Sequence, residues 1–138
     1  MTLARTFDAG LVNAIMSDAF GEPMDFTGIV GDPANYALVG DLGCMLFERS
    51  KPGIYALTMG IREPGRGGWA KAFVDEALHF MFTETDAMRL WSTVMRGKRH
   101  VIALAAHAPG IEIEHTEQHS LAAVTKERWY AKTTRAAQ

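Results

Sequence analysis

Ile54-Tyr55-Ala56-Leu57-Thr58-Met59-Gly60-Ile61 runs straight into Arg62-Glu63-Pro64-Gly65-Arg66-Gly67-Gly68-Trp69, and these two stretches together decide the fold. The first is apolar on both alternating faces, which predicts a central strand of a sheet. Beyond the second, Phe73, Ala77 and Phe80 recur at helical spacing beside Val74, Leu78 and Met81, so a helix is expected from Trp69 to about Thr83. A glycine-rich turn from strand into helix can aim several backbone N–H groups at one anion, and the helix dipole reinforces them. Glycine permits the backbone angles and the close approach that this requires. The stretch therefore reads as a phosphate or pyrophosphate cradle, with a ligand-free tight turn as the plain alternative. No Lys-Ser or Lys-Thr follows the glycines, which disfavours a nucleotide-hydrolysing loop, and the spacing is not that of a dinucleotide fingerprint.

Working outward toward the N-terminus, Asn35 to Val39 and Cys44 to Glu48 read as two strands around Gly40-Asp41-Leu42-Gly43, with Lys51-Pro52-Gly53 as a second turn. Met24 to Pro33 reads as a loop. Before it, Leu11, Val12, Ile15, Met16 and Ala19 form one helical stripe behind Asp8 as a cap, ended by Gly21-Glu22-Pro23. Leu3 to Phe7 suits a short edge strand. Toward the C-terminus, Met88 to Met95 is strand-like, and a strand, helix and strand in one sheet predict a right-handed parallel crossover. A helix from about Arg99 to His107 follows, ended by Pro109-Gly110, then a strand from Ile111 to His115. Leu121 to Lys132 is ambiguous, and Thr133 to Gln138 is expected to fray. No repeat or linker divides residues 1–138, so one α+β domain is the economical organisation.

Composition narrows the function. The 138 residues suffice for one core, and 48% are hydrophobic. A net charge of −2 argues against general affinity for nucleic acid. The single cysteine, Cys44, excludes a disulfide framework and reads as a small buried apolar residue. No membrane span or signal-peptide core is apparent, so a soluble, cytoplasmic protein is expected. His115 and His119 are four apart but lie in a strand-like segment without a third ligand at diagnostic spacing, so no metal site is expected. Ser92 and Ser120 have no nucleophile motif around them.

Arg62-x-x-Gly65-x-Gly67 resembles the Gln/Arg-x-x-Gly-x-Gly/Ala signature of the GNAT superfamily of N-acetyltransferases, and it sits where that family places it, between a central strand and a long helix. The resemblance implies a mixed, mostly antiparallel sheet with helices on both faces and a splayed parallel strand pair that takes CoA. It implies acetyl-CoA as co-substrate and an amine of a small molecule or protein as acceptor. It assigns cofactor binding to Met59, Ile61, Arg62, Gly65, Arg66, Gly67, Gly68 and Trp69, with a strand N–H near Met59, Gly60 or Ile61 polarising the thioester carbonyl. It makes Val124 to Ala131 the closing strand and sets the segment after the first helix beside the acceptor groove. Family members often pair through sheet edges, so the resemblance allows a homodimer, with the oligomeric state left open by the sequence.

The chain departs from the family in its acid–base groups. Many members carry an Asn at the start of the helix after the fifth strand and a Tyr further along it as general acid. Here Arg96-Gly97-Lys98-Arg99-His100-Val101-Ile102-Ala103-Leu104 has neither, and His100 is its one proton carrier. The central strand holds no Glu or Asp, which leaves Glu63 and Glu48 as nearby candidates for a base. His100 and Glu63 are thus the candidate catalytic residues. The second reading is a structural or interaction protein with the same fold and a weakened site. It draws on a loose similarity of length and of the run Val94 to Ile111 to small GNAT-like proteins of tailed phages. That reading implies virion partners and a host cytoplasm or virion location.

Overall fold

The computed structural model describes residues 3–95, 107–115 and 119–137. The elements in chain order are β1 (Ala4–Arg5), α1 (Ala9–Phe20), α2 (Thr27–Gly31), β2 (Tyr36–Gly40), β3 (Gly43–Lys51), β4 (Ile54–Ile61), a 3-10 turn (Glu63–Gly65), α3 (Gly68–Glu84), β5 (Arg89–Met95), β6 (Glu112–His115), β7 (His119–Thr125) and α4 (Lys126–Ala137). Among the described residues the strands form one seven-stranded sheet in the order β1-β2-β3-β4-β5-β7-β6. All neighbours are antiparallel except β4 and β5. β4 is the middle strand, as its two apolar faces predict. The rim strands are short: β1 has two residues and β6 has four.

Alternation along the strands splits the core in two. Tyr36, Leu38, Met45, Phe47 and Tyr55 face α3 and α4, and meet Phe73, Ala77, Leu78, Met81, Phe82 and Trp129. Ala37, Cys44 and Leu46 face the other way, onto Val12, Ile15 and Met16 of α1 and Val30 of α2. Helices thus cover both faces of the sheet. Asp8 caps α1 by accepting the Leu11 N–H at 3.1 Å, and Gly21 closes it in the left-handed conformation at φ 72°. α1 can lie against β4 because Gly60 has no side chain. A Cβ there would stand 2.5 Å from Met16 Sδ and 3.1 Å from Ala19 Cβ.

The parallel pair is brief. β4 and β5 match only at Ile54↔Arg89, Tyr55↔Leu90 and Ala56↔Trp91. Beyond that, β4 stays paired with β3 as far as Gly43↔Ile61, and β5 stays paired with β7 as far as Met95↔His119. Each strand keeps its outer partner while the two part company, which leaves a notch in mid-sheet. The closed end is pinned by the buried Tyr55, whose hydroxyl donates to the Asp86 carboxylate, with Arg49 Nη2 at 3.7 Å from the same carboxylate. Burial, together with that carboxylate, pushes the Tyr55 phenol pKa up and keeps it protonated.

Several expectations need correction. Met24 to Pro33 is not all loop: Thr27–Gly31 is helical. Asp25 Oδ1 accepts the Thr27 N–H at 3.0 Å, and Val30 is buried against α1, so tertiary burial stabilises a turn with little propensity of its own. Val124 to Ala131 is not the closing strand. β7 ends at Thr125, and residues 126–137 form α4, which also replaces the expected frayed end. Thr125 Oγ1 accepts the Arg128 N–H at 3.3 Å and starts that helix. The helix delivers Trp129 onto Phe82 with ring centroids 5.4 Å apart. The helix expected over 99–107 lies outside the described residues, apart from its last position, His107, which stands in a turn.

Two outcomes follow from this packing. Gly60→Ala is expected to lower stability by about 1–3 kcal/mol through overpacking against α1, read by denaturant unfolding. Cys44 is buried, and desolvation raises its thiol from 9.0 to about 12. A folded pKa above the unfolded one stabilises below the unfolded value, and this is lost as pH rises toward 12. In the native state near about pH 8, Cys44 is therefore expected to resist thiol reagents and to be labelled only as fast as the chain opens.

Candidate functional site

The strand-to-helix turn is built by main-chain closure. Arg62 N–H donates to the Leu42 carbonyl at 2.7 Å, which continues the β3–β4 ladder one step past Ile61. Gly65 N–H then donates to the Arg62 carbonyl at 2.8 Å and Arg66 N–H to the Glu63 carbonyl at 3.1 Å. Pro64 stands in the first turn of this 3-10 segment, where a missing N–H costs nothing. Gly67 follows at φ 112°, ψ −128°, a backbone state that side chains scarcely permit. The first α3 bond is the Lys71 N–H to the Gly67 carbonyl, at 3.1 Å.

The amides of Gly67, Gly68, Trp69 and Ala70 consequently have no intrahelical partner, and among the described residues no side chain caps them. The first turn also carries no acid of its own to oppose the positive end of the helix dipole. Space in front is open: a Cβ built on Gly67 or Gly68 would meet nothing within 4 Å. The arrangement fits an oxyanion such as a phosphate, with the amides themselves as donors.

The expected site residues fall into distinct places. Met59 is half-buried on β4 against the α3-side core, and Ile61 is buried at the strand end. Arg62 Nε lies 3.0 Å from Asp18 Oδ2, an ion pair by distance without an aligned hydrogen bond, and its Nη1 donates to the Asp41 carbonyl at 3.4 Å. Arg66 is exposed and its Nη2 donates to the Ala19 carbonyl at 3.2 Å. Both arginines thus hold the last turn of α1, and the Arg66 amide is already engaged by Glu63. Gly65 is buried against Leu42 and Trp69. Glu63 is exposed at the start of the 3-10 turn. Glu48 is exposed and sits opposite Ala56, at the closed end of the notch. His100 lies outside the described residues.

From Leu57 to Ile61, β4 has no β5 partner, so its main chain on that side faces the notch. Leu57, Thr58, Met59, Gly60 and Ile61 carry no titratable group. Across β5, His115 Nδ1 and the buried Ser120 Oγ share a hydrogen bond of 2.7 Å, which satisfies the serine within the β6–β7 hairpin. Sequence reasoning did not find Ala70 as a fourth amide without an intrahelical partner, nor Asp18 and Ala19 as anchors for the turn. The absence of a capping Ser, Thr, Asp or Asn before Gly68 was the available signal for the first.

This is the fold of the GNAT N-acetyltransferases. Among solved structures, a variant of the spermidine/spermine N-acetyltransferase SpeG from Vibrio cholerae matches with a TM-score of 0.76 at 14% identity, over 96% of this chain and 97% of that one. SpeG in complex with CoA and spermine matches with a TM-score of 0.72 at 16% identity, over 94% and 97%. The N-acetyltransferase PseH from Campylobacter jejuni, in complex with acetyl coenzyme A, matches with a TM-score of 0.57 at 12% identity, over 68% and 70%. No protein-family model and no curated protein sequence matches the chain. No helix among the described residues is long and apolar enough to cross a membrane.

Gly68→Glu separates fold from site. An acid in the first turn favours a helix by about 0.3–1 kcal/mol, so the melting temperature is expected to hold or rise. The same carboxylate occupies and repels the anion position, so any stabilisation by CoA is expected to vanish. Thermal melts with and without CoA check both halves.

Proposed function

We propose that the protein is an acetyl-CoA-dependent N-acetyltransferase acting on an amine of a small molecule or a protein. One observation carries this reading: an uncapped, acid-free helix start with open space at Gly67 and Gly68 stands directly after the strand that borders the mid-sheet notch. The amides of Gly67, Gly68, Trp69 and Ala70 would hold the diphosphate, with the Arg66 side chain adding charge. Acetyl-CoA supplies the activated acyl group as a thioester. The unpaired edge of β4, at Met59, Gly60 or Ile61, offers an N–H to the thioester carbonyl and to the oxyanion formed on attack. The amine nitrogen bonds to the carbonyl carbon, the C–S bond breaks, the amine gives up a proton and the thiolate takes one. Glu63 and His100 are the proposed proton carriers. Polyamines are the first acceptors to try, since SpeG is known with spermine bound.

The bare chemistry of the notch favours one other reading, a protein of this fold that binds CoA weakly or not at all and serves as a structural or virion-associated component. β4 offers no acid at its open edge. A CoA titration followed by melting decides the first step: at about 100 times its Kd, a ligand that binds only the native state adds about 2.7 kcal/mol, an easily read rise in Tm. Release of free CoA thiol with an amine panel decides the second. No rise at millimolar CoA would sink the transferase reading, and a rise without thiol release for any amine would favour the scaffold.

A further inference from the structure

Trp69 is the second residue of α3, and its indole points away from the open amides into a slot cut by glycines. Gly40 ends β2, Gly43 begins β3 and Gly65 ends the 3-10 turn. A Cβ on Gly40 would stand 3.0 Å from Trp69 Cζ2 and 3.2 Å from Cη2. On Gly43 it would stand 3.1 Å from Cζ3, and on Gly65 2.9 Å from Cε3. The outer edge of the six-membered ring is therefore lined by positions where only hydrogen leaves room. Phe73, one helical turn on, stacks on the indole with centroids 4.9 Å apart and planes 22° apart. The ring is gripped by the β2–β3 hairpin and by its own helix.

Helix starts without a capping side chain fray, and α3 has none. The wedge takes the place of the missing cap. Because the Trp69 amide stands between those of Gly68 and Ala70, fixing the indole fixes the direction of all three. We infer that Trp69 is a positioning residue for the anion cradle: its indole locks the first turn of α3 to the β2–β3 hairpin, so that the amides are aimed before the diphosphate arrives. The inference rests on the CoA reading for its ligand, and on the glycine slot for its geometry.

The test measures CoA Kd by titration and amide hydrogen exchange over residues 68–71 in the wild type, Trp69→Ala, Trp69→Phe and Gly40→Ala. Phe82→Leu serves as a control that loosens the core far from the cradle. Trp69→Ala is expected to weaken CoA about 10- to 100-fold and to speed exchange in the first turn. Trp69→Phe should recover part of the affinity. Gly40→Ala, which crowds the indole from the β2–β3 hairpin side while leaving the α3 sequence unaltered, should weaken CoA in the same direction and keeps the test open if Trp69→Ala does not fold. Phe82→Leu should lower Tm and leave Kd unchanged. Wild-type affinity in Trp69→Ala and Gly40→Ala, or an equal loss in Phe82→Leu, would overturn the inference. If the wild type binds no CoA, the transferase reading falls by itself and exchange judges the wedge: unchanged exchange in Trp69→Ala overturns it, and faster exchange upholds it.

Discussion

The architecture depends on an unequal sharing of β4. Its antiparallel ladder to β3 runs the whole length of the strand, but its parallel ladder to β5 stops after three residue pairs. A fully paired β4 would be an ordinary central strand with no exposed main chain. Stopping the parallel ladder leaves half of the strand open on one side while the other side stays rigid. The Tyr55–Asp86–Arg49 contacts fix where the opening begins. The glycine turn then sits at the far, open end, because α3 has to start wherever β4 finishes.

Electrostatics at that end is set by omission as much as by charge. The first turn of α3 has neither a capping side chain nor an acid. The two arginines of the turn do not crowd the amides but reach sideways to Asp18 and to the Ala19 carbonyl. A guanidinium at the last carbonyls of α1 also complements the negative end of that helix. The positive end of α3 and the negative end of α1 are thereby brought side by side, with Gly60 providing the clearance. What distinguishes this site from a richly equipped one is the lack of titratable groups on the open half of β4. That half of the strand supplies main-chain groups and no side-chain acid or base.

Much of this was readable from residue order because the central signals are local. The strand Ile54–Ile61 is strongly apolar on both faces, the helix after it is strictly periodic, and glycines mark the junction. The misread parts depend on distant partners. Trp129 and Tyr130 favour strands by intrinsic preference, but Thr125 caps a helix just before them and the Trp129 indole has a place on Phe82. Thr27–Gly31 contains two glycines and is helical only because Val30 is buried against α1. Gly40 and Gly43 read correctly as a hairpin turn, but their second role appears only once an indole from α3 arrives between them. Asp18 and Ala19, which anchor Arg62 and Arg66 to α1, lie more than forty positions away in the chain, where no spacing rule reaches.

The rims of the sheet are a two-residue strand and a four-residue strand, so they offer little template for another chain to add to. The longest stretch of strand main chain lacking a neighbour among the described residues is instead internal, at Leu57–Ile61. A protein usually guards its outermost strands against unwanted association, whereas here the adhesive seam is inside. A ligand seated in that seam would shield the sheet as well as be held by it, and the empty protein would then carry the greater tendency to clump.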